Sequence, residues 1–212
     1  MSKQKVMIVD DQLPARRMFE LYLASSEKYE LAFSVPSAAT ADIYLLKYPV
    51  DLILMDILMN DGSNGLEAAE KIKREYPQIK IIAVTSMPEH SWMKRAREIG
   101  VDSFWYKETD ERSILDVIDR TMAGEHVYPD HAPEVKLGQA SSQEFTEREL
   151  EVLRIITTGA TNAVVAEKLG ISEHTVKTHV RNMLEKTGFG SRTELAIQAR
   201  VIGLAITLEK AP

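Results

Sequence analysis

The sequence predicts an α/β doubly wound domain built on a five-stranded parallel sheet, followed by a small all-α domain. Three observations predict it. Over residues 1–122, short apolar runs alternate with helix-period segments, and repeated strand–helix alternation gives a parallel sheet covered on both faces. Over 145–212 the chain reads as helices with short breaks, without a proline between Phe145 and Pro212. Between these parts, residues 123–144 carry Gly124, Pro129, Pro133, Gly138, Ser141 and Ser142, which interrupt any periodicity and read as a linker.

The strands are expected at 5–10, 31–35, 51–56, 79–85 and 102–106, where apolar residues run together as they do in strands buried on both faces. Helical patterns fall between them at 14–25, 37–47, 65–76, 88–99 and 110–122. Pro14 and Pro88 sit where a first helical turn tolerates proline, and Gly100 sits where a left-handed C-cap is expected. In the second domain, helices are expected at 146–157, 161–168, 173–187 and 191–202. Gly159, Gly170, Gly188 and Gly190 punctuate them, and Ser172 and Ser191 are placed to act as N-caps.

At 212 residues the chain has room for a core in each of two small domains, and its composition is that of a soluble globular protein. It opens on no basic-then-apolar signal segment, and no apolar run approaches the roughly 18 residues of a membrane span. Cysteine is absent, which excludes disulfides and thiolate metal sites. A cytoplasmic location without membrane contact is the expectation. The net charge of −6 looks wrong for a nucleic-acid binder, but it is unevenly spread. Residues 1–122 hold 16 basic against 20 acidic side chains, and 123–144 hold 1 against 4. Residues 145–212 hold 9 against 8, so the acidity says nothing about what the last domain binds.

Four of the apolar runs end in residues suited to magnesium-assisted phosphoryl chemistry: Asp10 and Asp11, Asp56, Thr85, and Lys107. Ligands collect at the carboxyl ends of strands in an open parallel sheet, so these side chains are expected to converge in one crevice. Any one of them alone reads equally well as a helix N-cap or a surface charge.

In this order and spacing the set resembles the receiver domain of two-component response regulators, a flavodoxin-like fold. The resemblance implies that Asp56 accepts a phosphoryl group from a sensor histidine kinase. Asp11, Asp56 and the backbone carbonyl of Leu58 would supply part of an octahedral Mg²⁺ shell, with Asp10 behind through a water. Lys107 would pair with Asp56 and then with the phosphoryl oxygens, and Thr85 would donate its hydroxyl to them. Phe104, three residues before Lys107, falls at the aromatic switch position of that family; core packing accounts for it equally well.

The sequence departs from the family pattern in places. The loop 56–65 has Asn60 where proline is usual, is one residue longer, and carries Gly62 and Gly65, which allow a looser path. Glu108 stands where proline often follows the lysine. Leu58 and Met87 occupy the positions that tune hydrolysis of the acyl phosphate, and neither can orient a water, which implies a long-lived signal.

Residues 145–207 resemble the LuxR-type, or NarL/FixJ, helix-turn-helix. The matching residues are Thr146, Glu149 and Leu153, then Gly159 and Asn162, then Ala166 through the recognition segment at 170–180, and finally Lys186, Ser191 and Glu194. Ala163 and Val164 replace the usual lysine and glutamate. Within 173–186, Val176, Val180, Met183 and Leu184 form an inward face, while His174, Lys177, Thr178 and Arg181 form a basic polar stripe. Such a stripe suits a helix in the major groove of double-stranded DNA. By resemblance, Lys177, Thr178 and Arg181 meet base edges, and Ser172, Thr175 and His179 meet or position phosphates. Leu195, Ala199 and Ile202 line one side of the last helix, as a dimer surface or as packing within their own domain.

The expected function is a DNA-binding transcription regulator, not an enzyme. Phosphorylation would promote a homodimer that reads two-fold DNA half-sites. Two alternatives stay open. One is an atypical receiver that phosphorylation does not control. The other is a magnesium-dependent aspartyl-phosphate phosphatase, although such enzymes of the haloacid dehalogenase type place Asp-x-Asp after the first strand, where this chain has Asp10 and Asp11.

Overall fold

Each apolar run from 1 to 122 becomes a strand in the computed structural model, which describes residues 3–86, 88, 90–107 and 113–204. The elements are β1 (Gln4–Val9), α1 (Leu13–Ala24), β2 (Tyr29–Val35), α2 (Ala41–Leu45), β3 (Leu52–Asp56), α3 (Gly65–Glu75), β4 (Lys80–Thr85), α4 (His90–Glu98), β5 (Ser103–Tyr106) and α5 (Ile114–Met122). The five strands are parallel, in the order β2–β1–β3–β4–β5. The order reverses between β1 and β3, and that reversal opens the crevice at their carboxyl ends.

Side chains alternate across the sheet. Val6, Ile8, Leu52, Leu54, Ile82, Val84 and Trp105 pack with Phe19 and Leu23 of α1 and with Ile114, Val117 and Ile118 of α5. Phe19 and Trp105 meet edge to face at 6.1 Å. The alternate residues Met7, Ile53, Met55, Ile81 and Ala83 are buried toward the other face, where α3 packs on β3 and β4. Burial on both faces is why these strands are continuously apolar.

The second helix is shorter than the 37–47 expected. A 3-10 turn over Ala38–Thr40 precedes a five-residue α2. Ser37 accepts the Ala39 N–H, and the Thr40 hydroxyl donates to the Ser37 carbonyl, so local side-chain bonds compete with the first helical turn. The expected start of the fifth helix at 110–112 lies outside the described residues, and so do Met87 and Glu108.

The second unit holds a hairpin of β6 (Lys136–Leu137) and β7 (Ala140–Ser141), then α6 (Glu147–Ile156), α7 (Asn162–Leu169), α8 (Glu173–Thr187) and α9 (Arg192–Val201). Thr146, Thr161, Ser172 and Ser191 cap the four helices through their hydroxyls, and Gly170 and Gly188 end α7 and α8 in left-handed conformation. The core collects Leu150, Leu153, Ile156, Val165, Val176, Val180, Met183, Leu195 and Ala199. Leu195 and Ala199 thus pack within their own domain, and the exposed apolar residues of α9 are Ile197 and Val201 on another side.

Within the stretch expected as a linker, 123–144, single side chains are packed into one unit or the other, with residues up to His131 grouping with the first and those from Ala132 with the second. Val127 is buried in the first core, bonded through its N–H to the Ser103 hydroxyl and through its carbonyl to the Phe104 N–H. Leu137 and Ala140 are buried in the second core, and the Gln139 N–H donates to the Thr187 carbonyl at the end of α8. Gly124, Pro129, Pro133 and Gly138 break helices and strands, but they do not stop single apolar side chains from packing.

Among the described residues of the second unit, Glu149 is the buried charge. Its carboxylate accepts the Thr146 N–H at 2.8 Å and the Lys186 ammonium at 2.6 Å, completing a capping box on α6. Burial works to raise its pKa, but Lys186 and Thr146 outweigh it and hold the carboxyl below its ordinary 4.5. The stabilisation is therefore full above that value and fades as pH falls through the folded one. Glu149→Ala is expected to cost about 2 kcal/mol at pH 7 and less near pH 4. Thermal unfolding of both proteins at the two pH values checks this, and a pH-independent gap would contradict it.

Candidate functional site

At the carboxyl end of the sheet, β1 delivers Asp10 and Asp11, β3 delivers Asp56, and the turn after β5 delivers Lys107. Asp10, Asp56 and Lys107 are all deeply buried, and one ligand oxygen from each of Asp10, Asp11 and Asp56 lies within 4.8 Å of the others. Four of the sequence-predicted side chains therefore meet in one place. Thr85 is buried at the end of β4, where its carbonyl accepts the Lys107 N–H at 2.9 Å. Leu58 is half-buried in the loop beyond Asp56 and bridges across to Asn64.

The carboxylate oxygens divide their partners. Asp10 accepts the Gln12 N–H on Oδ1 at 2.8 Å and the Lys107 ammonium on Oδ2 at 2.6 Å. Asp56 accepts the Ile57 N–H on Oδ1 at 2.9 Å and faces Lys107 with Oδ2 at 3.2 Å. Lys107 thus sits closer to Asp10 than to Asp56, where the sequence led us to expect Asp56 as its partner. Asp11 accepts the Asn60 N–H on Oδ2 at 2.7 Å, and its buried Oδ1 has no hydrogen-bond partner among the described residues. A buried carboxylate oxygen left without a donor is costly unless a cation meets it. With two further carboxylates beside it, this all-oxygen set fits a hard divalent ion such as Mg²⁺.

Electrostatics favour the same conclusion. Burial pushes the Asp56 carboxyl up to about 7, against the pull of Lys107 and with Asp10 adding to the rise. Burial works against the Lys107 charge, but Asp56 and Asp10 outweigh it and raise its pKa. The crevice holds more negative than positive charge, in surroundings that solvate neither well.

The loop 56–65 is closed rather than loose. The Gly65 N–H donates to the Ile57 carbonyl at 2.8 Å, and Gly62 turns the chain at φ 81°. Gly65 needs no left-handed conformation; it is glycine because a Cβ there would lie 1.8 Å from the Asp56 carbonyl oxygen. Asn64 caps α3 by accepting the Leu66 N–H at 2.8 Å. Asn60, standing where proline is usual, supplies Asp11 with an N–H that proline lacks. The sequence reading missed the roles of Asn60 and Asn64. Asn64 was legible as an N-cap ahead of an apolar-periodic segment, whereas nothing local pointed from Asn60 to Asp11.

Phe104 is fully buried, with its ring centroid 5.1 Å from that of Tyr106 and 6.1 Å from that of Tyr128. His126 bonds through Nδ1 to the Asp102 carbonyl at 2.9 Å.

On α8 the inward face is as expected, with Val176, Val180 and Met183 buried. Lys177 and Arg181 are exposed on the polar stripe, with Thr178 and His179 half-buried beside them. The Ser172 hydroxyl accepts the Thr175 N–H at 3.0 Å and pairs with the Thr175 hydroxyl at 2.8 Å, so both first serve the helix start. The Thr178 hydroxyl donates to the His174 carbonyl at 3.0 Å, and Arg181 lies 3.8 Å from Glu185.

Among the described residues no helix is long and apolar enough to cross a membrane. A family model for the response regulator receiver domain matches residues 6–119, and one for bacterial regulatory proteins of the LuxR family matches 143–199. The response regulator protein VraR of Staphylococcus epidermidis is 36% identical over 203 residues, covering 92% of this chain and 95% of that protein. VraR of Staphylococcus aureus matches to the same extent, 36% over 203 residues. Among solved structures, RcsB from Salmonella enterica serovar Typhimurium, bound to the promoter rprA in the presence of phosphomimetic BeF3−, has a similar fold. Its TM-score is 0.58 at 18% identity, covering 92% of this chain and 98% of that one.

Proposed function

Because the chain belongs to the response regulators that join a receiver domain to a LuxR-type DNA-binding domain, we propose that Asp56 accepts a phosphoryl group from a partner histidine kinase and that this modification controls DNA binding. The observation that carries this reading is the buried Asp56 facing Lys107 at 3.2 Å beside Asp10 and Asp11. An Asp56 oxygen attacks phosphorus, the bond from phosphorus to the donor's imidazole nitrogen breaks, and an aspartyl phosphate results. Lys107 lies close enough to both Asp10 and Asp56 to follow the negative charge onto the phosphoryl oxygens, and Thr85 supplies a hydroxyl from the next strand. Asp11, Asp56 and the Leu58 carbonyl would hold Mg²⁺, with Asp10 adding negative charge beside them. When bound, Mg²⁺ neutralises phosphoryl oxygens that would otherwise repel the carboxylates. Leu58 brings no group that could orient a hydrolytic water, in keeping with a slowly released signal.

Proton and metal compete for Asp56. Its folded pKa of about 7 stands above the ordinary 3.8, so the metal-free protein loses stability as pH rises between these values. Mg²⁺ affinity is expected to climb about tenfold per pH unit toward 7 and to level off above it. Calorimetric titration with Mg²⁺ at pH 5.5, 6.5 and 8 checks this, and a flat profile would contradict it.

The modified protein forms a homodimer that presents two α8 helices to two-fold half-sites in double-stranded DNA. Lys177, Thr178 and Arg181 reach base edges, and Ser172, Thr175 and His179 meet or position phosphates. Lys177→Ala and Arg181→Ala are each expected to weaken binding to a cognate site by about 1–3 kcal/mol. Titration of both variants on that site and on unrelated DNA separates base reading from phosphate contact.

The decisive experiment treats the full chain with beryllofluoride or acetyl phosphate in Mg²⁺, then measures size and DNA affinity, with Asp56→Ala as control. Wild type should dimerise and bind more tightly while the variant does not. If neither property changes, the receiver is not controlled by phosphorylation.

A further inference from the structure

The chain leaving α5 does not depart from the receiver at once. Residues 126–128 run along the start of β5 and are bonded to four successive residues, Val101 to Phe104. The Tyr128 hydroxyl donates to the Val101 carbonyl at 2.8 Å, and His126 Nδ1 bonds the Asp102 carbonyl at 2.9 Å. The Val127 N–H donates to the Ser103 hydroxyl at 3.0 Å, and the Phe104 N–H donates to the Val127 carbonyl at 2.8 Å. Ser103 is tied in turn to Thr121 of α5 through their hydroxyls at 2.7 Å. The two aromatic rings follow the backbone. Tyr128 lies 6.1 Å from Phe104 with the ring planes 32° apart, and the Arg97 guanidinium of α4 sits 4.0 Å above the Tyr128 centroid.

Phe104 is therefore held between the sheet and the segment that continues, from Ala132, into the second unit. Its backbone and its ring both touch that segment, so a change in the ring's packing is felt at Val127 and Tyr128 before any other part of the exit chain. Packed cores switch between discrete arrangements rather than deforming smoothly, which suits this contact to relaying a two-state change.

Resting on the reading of Asp56 as the phosphoryl acceptor, we propose that Tyr128, packed between Phe104 and Arg97, is a latch: it pins residues 126–128 to the start of β5 in the unmodified receiver and releases them when Asp56 is phosphorylated. The segment that joins the two domains is then the readout of the site, and its release is what the DNA-binding domain receives. Tyr128 touches neither the carboxylates nor the phosphoryl group, so it governs the response to modification rather than modification itself.

The test uses the full chain with beryllofluoride and Mg²⁺. Fluorine NMR reports whether beryllofluoride is bound, hydrogen exchange reports Phe104 and residues 125–131, and DNA titration reports output. In wild type, binding should be accompanied by faster exchange at Val127 and Phe104 and by a gain in DNA affinity, within the about 5–150-fold range of allosteric coupling. Tyr128→Ala should bind beryllofluoride as wild type does, exchange rapidly at 126–128 without it, and show an affinity gain reduced toward onefold. Arg97→Ala, at an exposed position, should shift the same readouts part of the way and guards against a folding defect in Tyr128→Ala. If wild type binds beryllofluoride and tightens on DNA while exchange at 126–128 stays unchanged, or if both variants respond as wild type does, the latch is overturned and the Asp56 reading stands. If wild type binds no beryllofluoride, the Asp56 reading itself fails and the latch falls with it.

Discussion

Gly65→Ala is expected to cost about 3 kcal/mol of receiver stability or more, and to cut Mg²⁺ affinity at least about tenfold (about 1.4 kcal/mol). The added Cβ would stand 1.8 Å from the Asp56 carbonyl oxygen, 2.9 Å from its carbon and 3.0 Å from Met55 Cγ. The first two neighbours are backbone, so relief cannot come from a side-chain rotation. Either α3 retreats or the end of β3 moves, and the second outcome displaces Asp56 from Asp10, Asp11 and Lys107. Urea unfolding and Mg²⁺ titration of the same variant distinguish these responses. A stability within about 0.5 kcal/mol of wild type, with unchanged metal affinity, would show that the close approach is not a constraint.

Lys107→Met is the second large effect. The ammonium bridges Asp10 at 2.6 Å and Asp56 at 3.2 Å, and all three side chains are at most 6% exposed. Removing one partner of a buried ionic cluster costs about 3–5 kcal/mol, because the remaining charges are left uncompensated. Here the remaining charges are two carboxylates, so the loss depends on pH. Asp56 already titrates near 7 with Lys107 present, and without it the carboxyl must move higher. The cost is therefore largest above pH 8, where Asp56 would have to ionise, and shrinks toward pH 5.5, where a proton takes the place of the lysine charge. Added Mg²⁺ should recover part of the loss at high pH. Urea midpoints at both pH values, with and without metal, check the pattern. An equal loss at both would place the contribution of Lys107 in packing of its alkyl chain instead.

Much of the molecule was legible before any coordinate. Strands buried on both faces are continuously apolar, so β1, β3, β4 and β5 announced themselves, and the residues ending them were readable as one crevice. Helix ends were readable because capping is local: Ser172, Ser191, Gly170 and Gly188 act within a turn of where they stand. The second helix was overestimated because Ser37 and Thr40 bond their own backbone, a competition that apolar periodicity does not register. Val127 and Leu137 were hidden by the glycines and prolines around them.

The sequence by itself determined the order of elements, the two-domain division in outline and the identity of the groups at the acidic crevice. These follow from periodicity, short-range capping and residue chemistry, all of which act between neighbours in the chain. Only the tertiary structure decided that Lys107 lies nearer Asp10 than Asp56, that Asn60 donates to Asp11, and that Gly65 is demanded by a carbonyl rather than by its own torsions. It also decided that Tyr128 stands over Phe104. Each of these depends on distances between residues that the chain brings together from different elements, and no local pattern encodes a distance of that kind.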